Sequence, residues 1–263
     1  LMKFLRNDIA DPNYLRYIAR MLKSGVMVEG KYEDTSVGTP QGGQISPILA
    51  NVYLHYVLDL WFEKCIKKQL YGEAYLVRFA DDFLIMFQYE RDAQRVYEAV
   101  IKRMELFGLE LSKEKTRILP FGRYSVSRET FDFLGFTHFN SKTRKGYYSV
   151  GHKISRKKKK QFKSNLKKWV KENRNTQFDE FMKALNKKLT GSFNYYSLSG
   201  MIREIKCLWH HSLFVTFKWL NRRSQRRSFK LERFYEIWND RIVHPYIHVD
   251  IWCGDNVIYN KNV

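Results

Sequence analysis

Phe79-Ala80-Asp81-Asp82 places two adjacent carboxylates between the apolar runs Tyr75-Leu76-Val77 and Phe83-Leu84-Ile85-Met86-Phe87. Both runs are rich in β-branched and aromatic residues and read as strands, so the acids fall where two strands meet. Charge is costly there. Two carboxylates about 4 Å apart repel by roughly 4 kcal/mol at an effective dielectric of about 20, so the pair calls for a proton or a cation. A hard divalent ion meets that need: oxygen ligands alone suit Mg²⁺, which takes one or two carboxylates and completes its shell with water and substrate phosphates. The plainer alternative is an Asp-Asp hairpin turn with both side chains in water. The surrounding sequence has to decide between them.

The chain has 263 residues, enough for one large or two modest domains, and 44% hydrophobic content with 16% aromatic sustains a core. The net charge of +20 is concentrated: residues 141–230 hold 25 Lys and Arg against four Asp and Glu, and the remainder is close to neutral. Interleaved with aromatics, a basic stretch of that size points to a polyanionic partner, nucleic acid ahead of an anionic membrane surface. Cys65, Cys207 and Cys253 are odd in number and far apart, so they supply neither a disulfide framework nor a paired-cysteine zinc spacing. A reducing cytoplasm fits. No segment approaches the ~20 uninterrupted apolar residues of a membrane span, and no signal-peptide pattern opens the chain. It begins on Leu1-Met2-Lys3-Phe4-Leu5, already apolar at helical spacing, as though inside an element.

Leu1, Leu5 and Ile9, then Leu15, Ile18, Met21 and Leu22, predict two amphipathic helices broken at Asp11-Pro12-Asn13. Residues 26–33 read as an extended pair turning at Glu29-Gly30. Thr39-Pro40-Gln41-Gly42-Gly43 belongs to a loop whose glycines let the backbone approach a ligand closely. Ser46-Pro47 is then expected to cap a helix carrying one buried stripe of Ile48, Leu49, Val52, Tyr56 and Leu60 towards Lys68. A Gly-rich loop feeding a helix N-terminus collects phosphates, although a tight structural turn explains it as well.

Beyond the acidic hairpin, Ala93, Val96, Val100 and Met104 mark a helix that Gly108 closes, and short strands are expected at residues 109–111 and 117–119. Residues 131–139 and 146–150 read as a further hairpin. From residue 154 the composition turns helical and basic: a Lys-loaded helix over 154–171, one striped by Phe178, Phe181, Met182, Leu185 and Leu189, and one or two more from Ile202 to Leu220. Lys157, Lys158, Lys159 and Lys160, with Arg222, Arg223, Arg226 and Arg227, read as a track for phosphates. The fold class is α+β over residues 1–150, an antiparallel sheet with helices on one face, followed by an all-α domain over 151–263.

Taken together and in this order, these stretches resemble the reverse transcriptases encoded by bacterial group II introns, also called intron maturases. Thr39-Pro40-Gln41-Gly42-Gly43 with Ile45-Ser46-Pro47-Ile48-Leu49-Ala50-Asn51 is similar to their palm motif for template and incoming nucleotide. Phe79-Ala80-Asp81-Asp82 matches their metal-binding motif, with Phe where Tyr is commoner. Gly108-Leu109-Glu110-Leu111-Ser112, and then Phe133-Leu134-Gly135-Phe136, resemble the next two blocks, the last being the primer-grip hairpin. Gly191 and Phe193-Asn194-Tyr195-Tyr196 resemble the thumb, or X domain.

The resemblance implies a right-hand polymerase palm followed by a helical thumb, and RNA-directed DNA polymerase activity with a maturase role. It implies two-metal nucleotidyl transfer with Mg²⁺ on Asp81 and Asp82, and Gln41, Gly42, Gly43 and Lys115 at the incoming deoxynucleoside triphosphate. It further implies that Leu134 and Gly135 grip the primer, and that the basic helices hold intron RNA or an RNA template with its DNA primer. A bacterial cytoplasmic protein with no membrane partner is expected.

The family also uses a third carboxylate, on an upstream strand. Asp8 and Asp11 flank Ile9-Ala10 beside a proline in helical surroundings and are not assigned to that role. The sequence therefore reads as the latter part of a palm plus the thumb, with no fingers before it and no HNH-like cluster after it, so self-association or pairing with an upstream palm and fingers fragment is expected. His244 and His248, with Pro245 between them, read as structural or surface residues. The alternative function stays open: a splicing cofactor or degenerate fragment that only grips structured RNA, with Asp81 and Asp82 idle.

Overall fold

The computed structural model describes residues 1–23, 26–28, 31–33, 45–112, 114–223 and 228–248, the two short segments 26–28 and 31–33 by their backbone alone. Two compact units divide the chain, Leu1–Pro120 and Phe121–Val263. The boundary between them falls before the sheet of residues 131–154, whose Phe136 and Ile154 pack with the helices that follow.

In the first unit, α1 (Met2–Asp8) and α2 (Pro12–Leu22) form as expected. Asp11 separates them by capping α2, its carboxylate accepting from the Asn13 and Tyr14 amides at 2.8 and 3.3 Å. Leu5 and Ile18 pack with Leu49 in a small core. β1 (Val26–Val28) and β2 (Lys31–Glu33) pair antiparallel. α3 (Ser46–Leu54) begins one residue before the expected cap: Ile45 is the N-cap, with Ser46 and Pro47 already in the first turn.

Past α3 the helix changes pitch. Residues His55–Asp59 and Phe62–Ile66 are π-helical and Lys67–Gln69 are 3₁₀. A π turn shifts the buried face by about one residue. The side chains that bury after Leu49 are Val57, Leu58 and Phe62, whereas Tyr56 and Leu60 are only partly covered. Ile48 is on the solvent side at 63% exposure, which corrects its place in the expected stripe. Arg103 reaches the loosened segment, its Nε donating to the Val57 carbonyl at 3.0 Å.

β3 (Ala74–Phe79) and β4 (Asp82–Phe87) form the expected hairpin, in register from Ala74 with Phe87 to Phe79 with Asp82. Its inner face packs on Val57, Leu58 and Phe62 and on α4 (Glu90–Leu106), which contributes Val96, Val100 and Met104. Asp92 is buried on α4 and satisfied, accepting from the Tyr71 and Gly72 amides at 3.1 Å each. Gly108 closes α4 at φ 68°, with Gly108 N–H on the Glu105 carbonyl and Leu109 N–H on the Met104 carbonyl, a Schellman motif. The expected strands at 109–111 and 117–119 do not form; Leu109 and Leu111 pack instead as single anchors on the hairpin core.

The second unit opens on a three-stranded antiparallel sheet, β5 (Phe131–Phe133), β6 (Phe136–Lys142) and β7 (Tyr148–Ile154), in the order β5-β6-β7. There are thus two hairpins where one was expected. α5 (Arg156–Asn173) is capped by Ser155, whose Oγ accepts from the Lys158 amide. α6 (Phe178–Tyr195), α7 (Ile202–Leu220) and α8 (Leu231–Arg241) complete the unit, α7 as one continuous helix and α8 as an element the sequence reading did not include. Ile154, Leu166, Leu185, Leu189, Leu208 and Trp238 lie at the centre of one large core.

Candidate functional site

The acidic pair sits at the tip of the β3-β4 hairpin. Phe79 opposes Asp82, so Ala80 and Asp81 are the two central residues of the turn. Ala80 has φ 54°. A two-residue hairpin needs positive φ at this point, a position that glycine or asparagine normally fills. An alanine there costs roughly 1–2 kcal/mol. Asp81 and Asp82 are both exposed, and among the described residues neither forms an ion pair with a cation.

The cation beside them is already engaged. Arg78, its side chain only 12% exposed, donates through Nε and Nη2 to both carboxylate oxygens of Asp59 at 2.8 and 2.7 Å. Its Nη1 donates to the Asn51 side-chain oxygen and to the Ala80 carbonyl, each at 2.8 Å. Hydrogen bonding to Asp59 raises the Arg78 pKa further above its already high ordinary value. The guanidinium therefore ties the turn to α3 and to the first π turn, and its charge is matched by Asp59. Asp81 and Asp82 are left as carboxylates without a cationic partner among the described residues.

That donor set fits a hard cation such as Mg²⁺, which needs only one or two protein carboxylates. No group of three or more His, Cys, Asp or Glu side chains suited to a metal occurs among the described residues. The two carboxylates left unassigned by sequence have structural duties. Asp11 caps α2, and Asp8 accepts a hydrogen bond from the Tyr56 hydroxyl, which raises the Tyr56 pKa. Asp8, Tyr56, His55, Lys64 and Asn51 line an open cleft of about 690 Å³ that shares Asn51 with the Arg78 network.

Of the residues expected at the nucleotide, Gln41, Gly42 and Gly43 lie outside the described residues, as do Arg226, Arg227 and Cys253. Lys115 is exposed in a turn closed by its own amide and that of Thr116 on the Ser112 carbonyl, at 3.1 and 3.0 Å. No described hydrogen bond or ion pair joins it to Asp81 or Asp82.

In the second unit, Leu134 and Gly135 are the central residues of the β5-β6 turn, at φ 50° and 81°. Leu134 and Ala80 are the two described non-glycine residues with positive φ, and both stand at hairpin tips singled out from the sequence. The Leu134 carbonyl is held too, by the Tyr195 hydroxyl at 2.7 Å, and the Gly135 carbonyl accepts from the Ser155 amide at 3.0 Å. The stem of Lys158 runs beside Gly135.

Lys157, Lys158 and Lys160 are exposed on α5, whereas Lys159 is partly covered and paired with Glu204. Arg222 is exposed; Arg223 is partly covered, its Nε on the Leu220 carbonyl. Lys171, Arg174 and Arg222 converge on the Trp219 ring at 5.9, 5.4 and 5.5 Å. His244 stacks on Trp209, and His248 pairs with Asn194 at 2.8 Å, as expected of structural histidines. No described helix is long and apolar enough to cross a membrane.

Sequence reasoning missed Arg78 and Asp59. An arginine inside an apolar strand immediately before the acidic pair was the available signal, because a charge there needs a buried partner.

An acidic hairpin on a helical support in one unit, and a basic helical bundle in the other, fit a protein that handles nucleic acid. Residues 5–138 match the family described as reverse transcriptase (RNA-dependent DNA polymerase), and the chain belongs to that family. Among its relatives, the group II intron-encoded protein LtrA of Lactococcus lactis subsp. cremoris is 30% identical over 135 residues, 48% of this chain and 22% of that protein. Protein YkfC of Escherichia coli is 26% identical over 199 residues, 63% of this chain and 49% of that protein. An uncharacterized 91 kDa protein in the cob intron of Schizosaccharomyces pombe is 44% identical over 63 residues, 24% of this chain and 8% of that protein. The chain thus spans at most about half the length of these relatives.

Proposed function

We propose that this chain carries the latter part of the palm and the thumb of a group II intron-type reverse transcriptase, acting in RNA-directed DNA synthesis and in binding its intron RNA. The observation that carries the reading is the hairpin tip. Two exposed carboxylates without a cationic partner stand on a fixed turn, inside the span that matches the family. Asp81 would ligate Mg²⁺ with Asp82 in support, and the ion when bound would neutralise the triphosphate and the developing charge at the primer 3′-oxygen. The protein's own part is to hold Asp81 and Asp82 in place and to keep Arg78 from cancelling them.

Gln41, Gly42, Gly43 and Lys115 would meet the incoming deoxynucleoside triphosphate, and Leu134-Gly135 the primer. Lys157, Lys158, Lys160 and Arg222 would track the backbone of an RNA template with its DNA primer, Lys acting there as a point charge. In a right-hand arrangement the outer face of the β3-β4 hairpin, where Tyr75, Val77, Phe79 and Met86 are 44–64% exposed, would accept an upstream palm and fingers segment or a second copy. The binding-only alternative draws support from the absence of a third acid beside the pair among the described residues.

Primer extension on an RNA template with Mg²⁺ separates the two, run with the chain alone and with an added upstream palm and fingers fragment, each beside Asp81→Asn. Extension abolished by Asp81→Asn is the expected result. No extension in either mixture, with RNA binding retained and unaffected by Asp81→Asn, would leave the binding module. Alanine at Lys157, Lys158 and Lys160 should weaken RNA binding uniformly across sequences and flatten its salt dependence, which is expected to reach roughly 10³- to 10⁵-fold between about 50 and 200 mM salt.

A further inference from the structure

The Arg78 network is more than a local ion pair, because each of its partners belongs to a different element. Asp59 lies in the first π turn, held from the other side by His55 Nδ1 at 3.3 Å. Asn51 lies on α3, and the Ala80 carbonyl belongs to the turn itself. Four donor contacts occupy the guanidinium: two to Asp59, one to Asn51 and one to Ala80. A planar fork with that many fixed partners leaves little freedom to swing towards Asp81 or Asp82.

The Ala80 contact is the informative one. Ala80 is held at φ 54°, which alanine rarely adopts. A non-glycine residue keeps such a conformation where its surroundings over-determine it. Arg78 supplies that restraint from two residues away, across a strand that also pairs Arg78 with Phe83. Asp59 has two effects on the arrangement. It fixes the guanidinium plane by bidentate pairing, and it absorbs the positive charge that would otherwise neutralise the acidic pair. The result is a rigid turn with its negative charge intact.

We propose that Arg78 is a positioning residue for the acidic turn, anchored by Asp59 and Asn51, and that it sets the turn in the form that binds a divalent cation. The proposal rests on the reading of Asp81 and Asp82 as metal ligands, and it adds to that reading a positioning role for Arg78, with Asp59 and Asn51 as its anchors. Arg78 touches no reacting atom. Its effect passes through the Ala80 carbonyl.

The test measures Mn²⁺ affinity by electron paramagnetic resonance, and amide hydrogen exchange over residues 79–82, on the full chain carrying Arg78→Lys, Asp59→Asn, Asp59→Glu or Asp81→Asn. Arg78→Lys keeps the charge and loses the fork. It is expected to weaken Mn²⁺ about tenfold and to speed exchange at the turn while exchange in α4 is unchanged. Asp59→Asn should weaken Mn²⁺ in the same direction, since the freed guanidinium then competes for Asp81 and Asp82, and it covers the case in which Arg78→Lys fails to fold. Asp59→Glu, which retains a carboxylate, should recover part of the affinity.

Where extension activity is measured, the loss should fall on kcat and on the Mg²⁺ requirement, with KM for the deoxynucleotide little changed. The positioning proposal alone is overturned if Asp81→Asn abolishes Mn²⁺ binding while the folded Arg78 and Asp59 variants leave both affinity and turn exchange within twofold of the parent. If Asp81→Asn itself leaves Mn²⁺ binding intact, the metal-ligand reading fails and the positioning proposal falls with it.

Discussion

Replacing Ala80 with glycine should make the protein more stable. Ala80 holds φ 54° at the first central position of the β3-β4 turn and is exposed, so a missing methyl group removes little packing. Relief of the left-handed conformation returns roughly 1–2 kcal/mol. Against it stands the greater chain entropy that glycine brings to the unfolded state, about 0.5–1 kcal/mol. The expected balance is a gain of about 0.5–1 kcal/mol, or ~2–6 °C in Tm for a unit of this size. Ala80→Val moves the other way, because a β-branched residue is still worse at positive φ, and a loss of at least ~1 kcal/mol is expected. Urea denaturation of the full chain, followed by a probe that reports on the first unit, measures both variants against the parent. A destabilised Ala80→Gly variant together with a tolerated Ala80→Val would refute the reasoning, since no strain would then be stored in the turn.

Two further outcomes follow from the second unit. Tyr195→Phe removes the hydroxyl on the Leu134 carbonyl and keeps the ring stacked on Phe136, so it should cost about 0.5–1.5 kcal/mol in urea denaturation; an unchanged midpoint would show that water replaces the hydroxyl without loss. His138 and His152 face each other across β6 and β7 with Nδ1 atoms 3.0 Å apart, and burial first of all holds both pKa values below the ordinary histidine value; at His138 the neighbouring His152 adds to this, and the Phe133 backbone and then Asp132 oppose it. Groups depressed in the folded state give stability that is present above about pH 6.5 and lost as pH falls through the folded values. Tm should therefore drop between about pH 7 and 5, and a chain with His138→Gln and His152→Gln should show a shallower slope; an identical slope would assign the effect to other groups.

The legible parts of the fold were those with a local physical cause. The Asp11-Pro12 break, the Gly108 terminus and the β3-β4 hairpin each follow from a few neighbouring residues whose conformational limits are narrow. The π turns after α3 have no such cause in the residues themselves, so a regular 3.6-residue period put Tyr56 and Leu60 on the buried face, where Val57, Leu58 and Phe62 stand instead. At Phe133-Leu134-Gly135-Phe136 the opposite error arose. Leucine is a poor turn residue, so four apolar-flanked positions read as continuous strand; the turn is made by Gly135 at φ 81° and braced by Tyr195, 61 residues away in sequence, on the Leu134 carbonyl.

The same cause explains why the acidic pair was legible and its support was not. Adjacent carboxylates between two apolar strands announce themselves, since their repulsion needs an external answer. Arg78 and Asp59 cancel each other across 19 residues, and a pair that cancels leaves no imbalance in a linear reading. Yet that cancellation gives the turn its character. Were Asp59 neutral, Arg78, which already reaches the Ala80 carbonyl of the same turn, would carry an unmatched charge beside Asp81 and Asp82. The partly buried pair is thus better understood as protecting the net charge of the tip than as a large contribution to stability, because desolvating the two charges offsets much of their attraction. A charge-free replacement at both positions, Arg78→Met with Asp59→Leu, should on this argument leave the fold nearly as stable and release the turn.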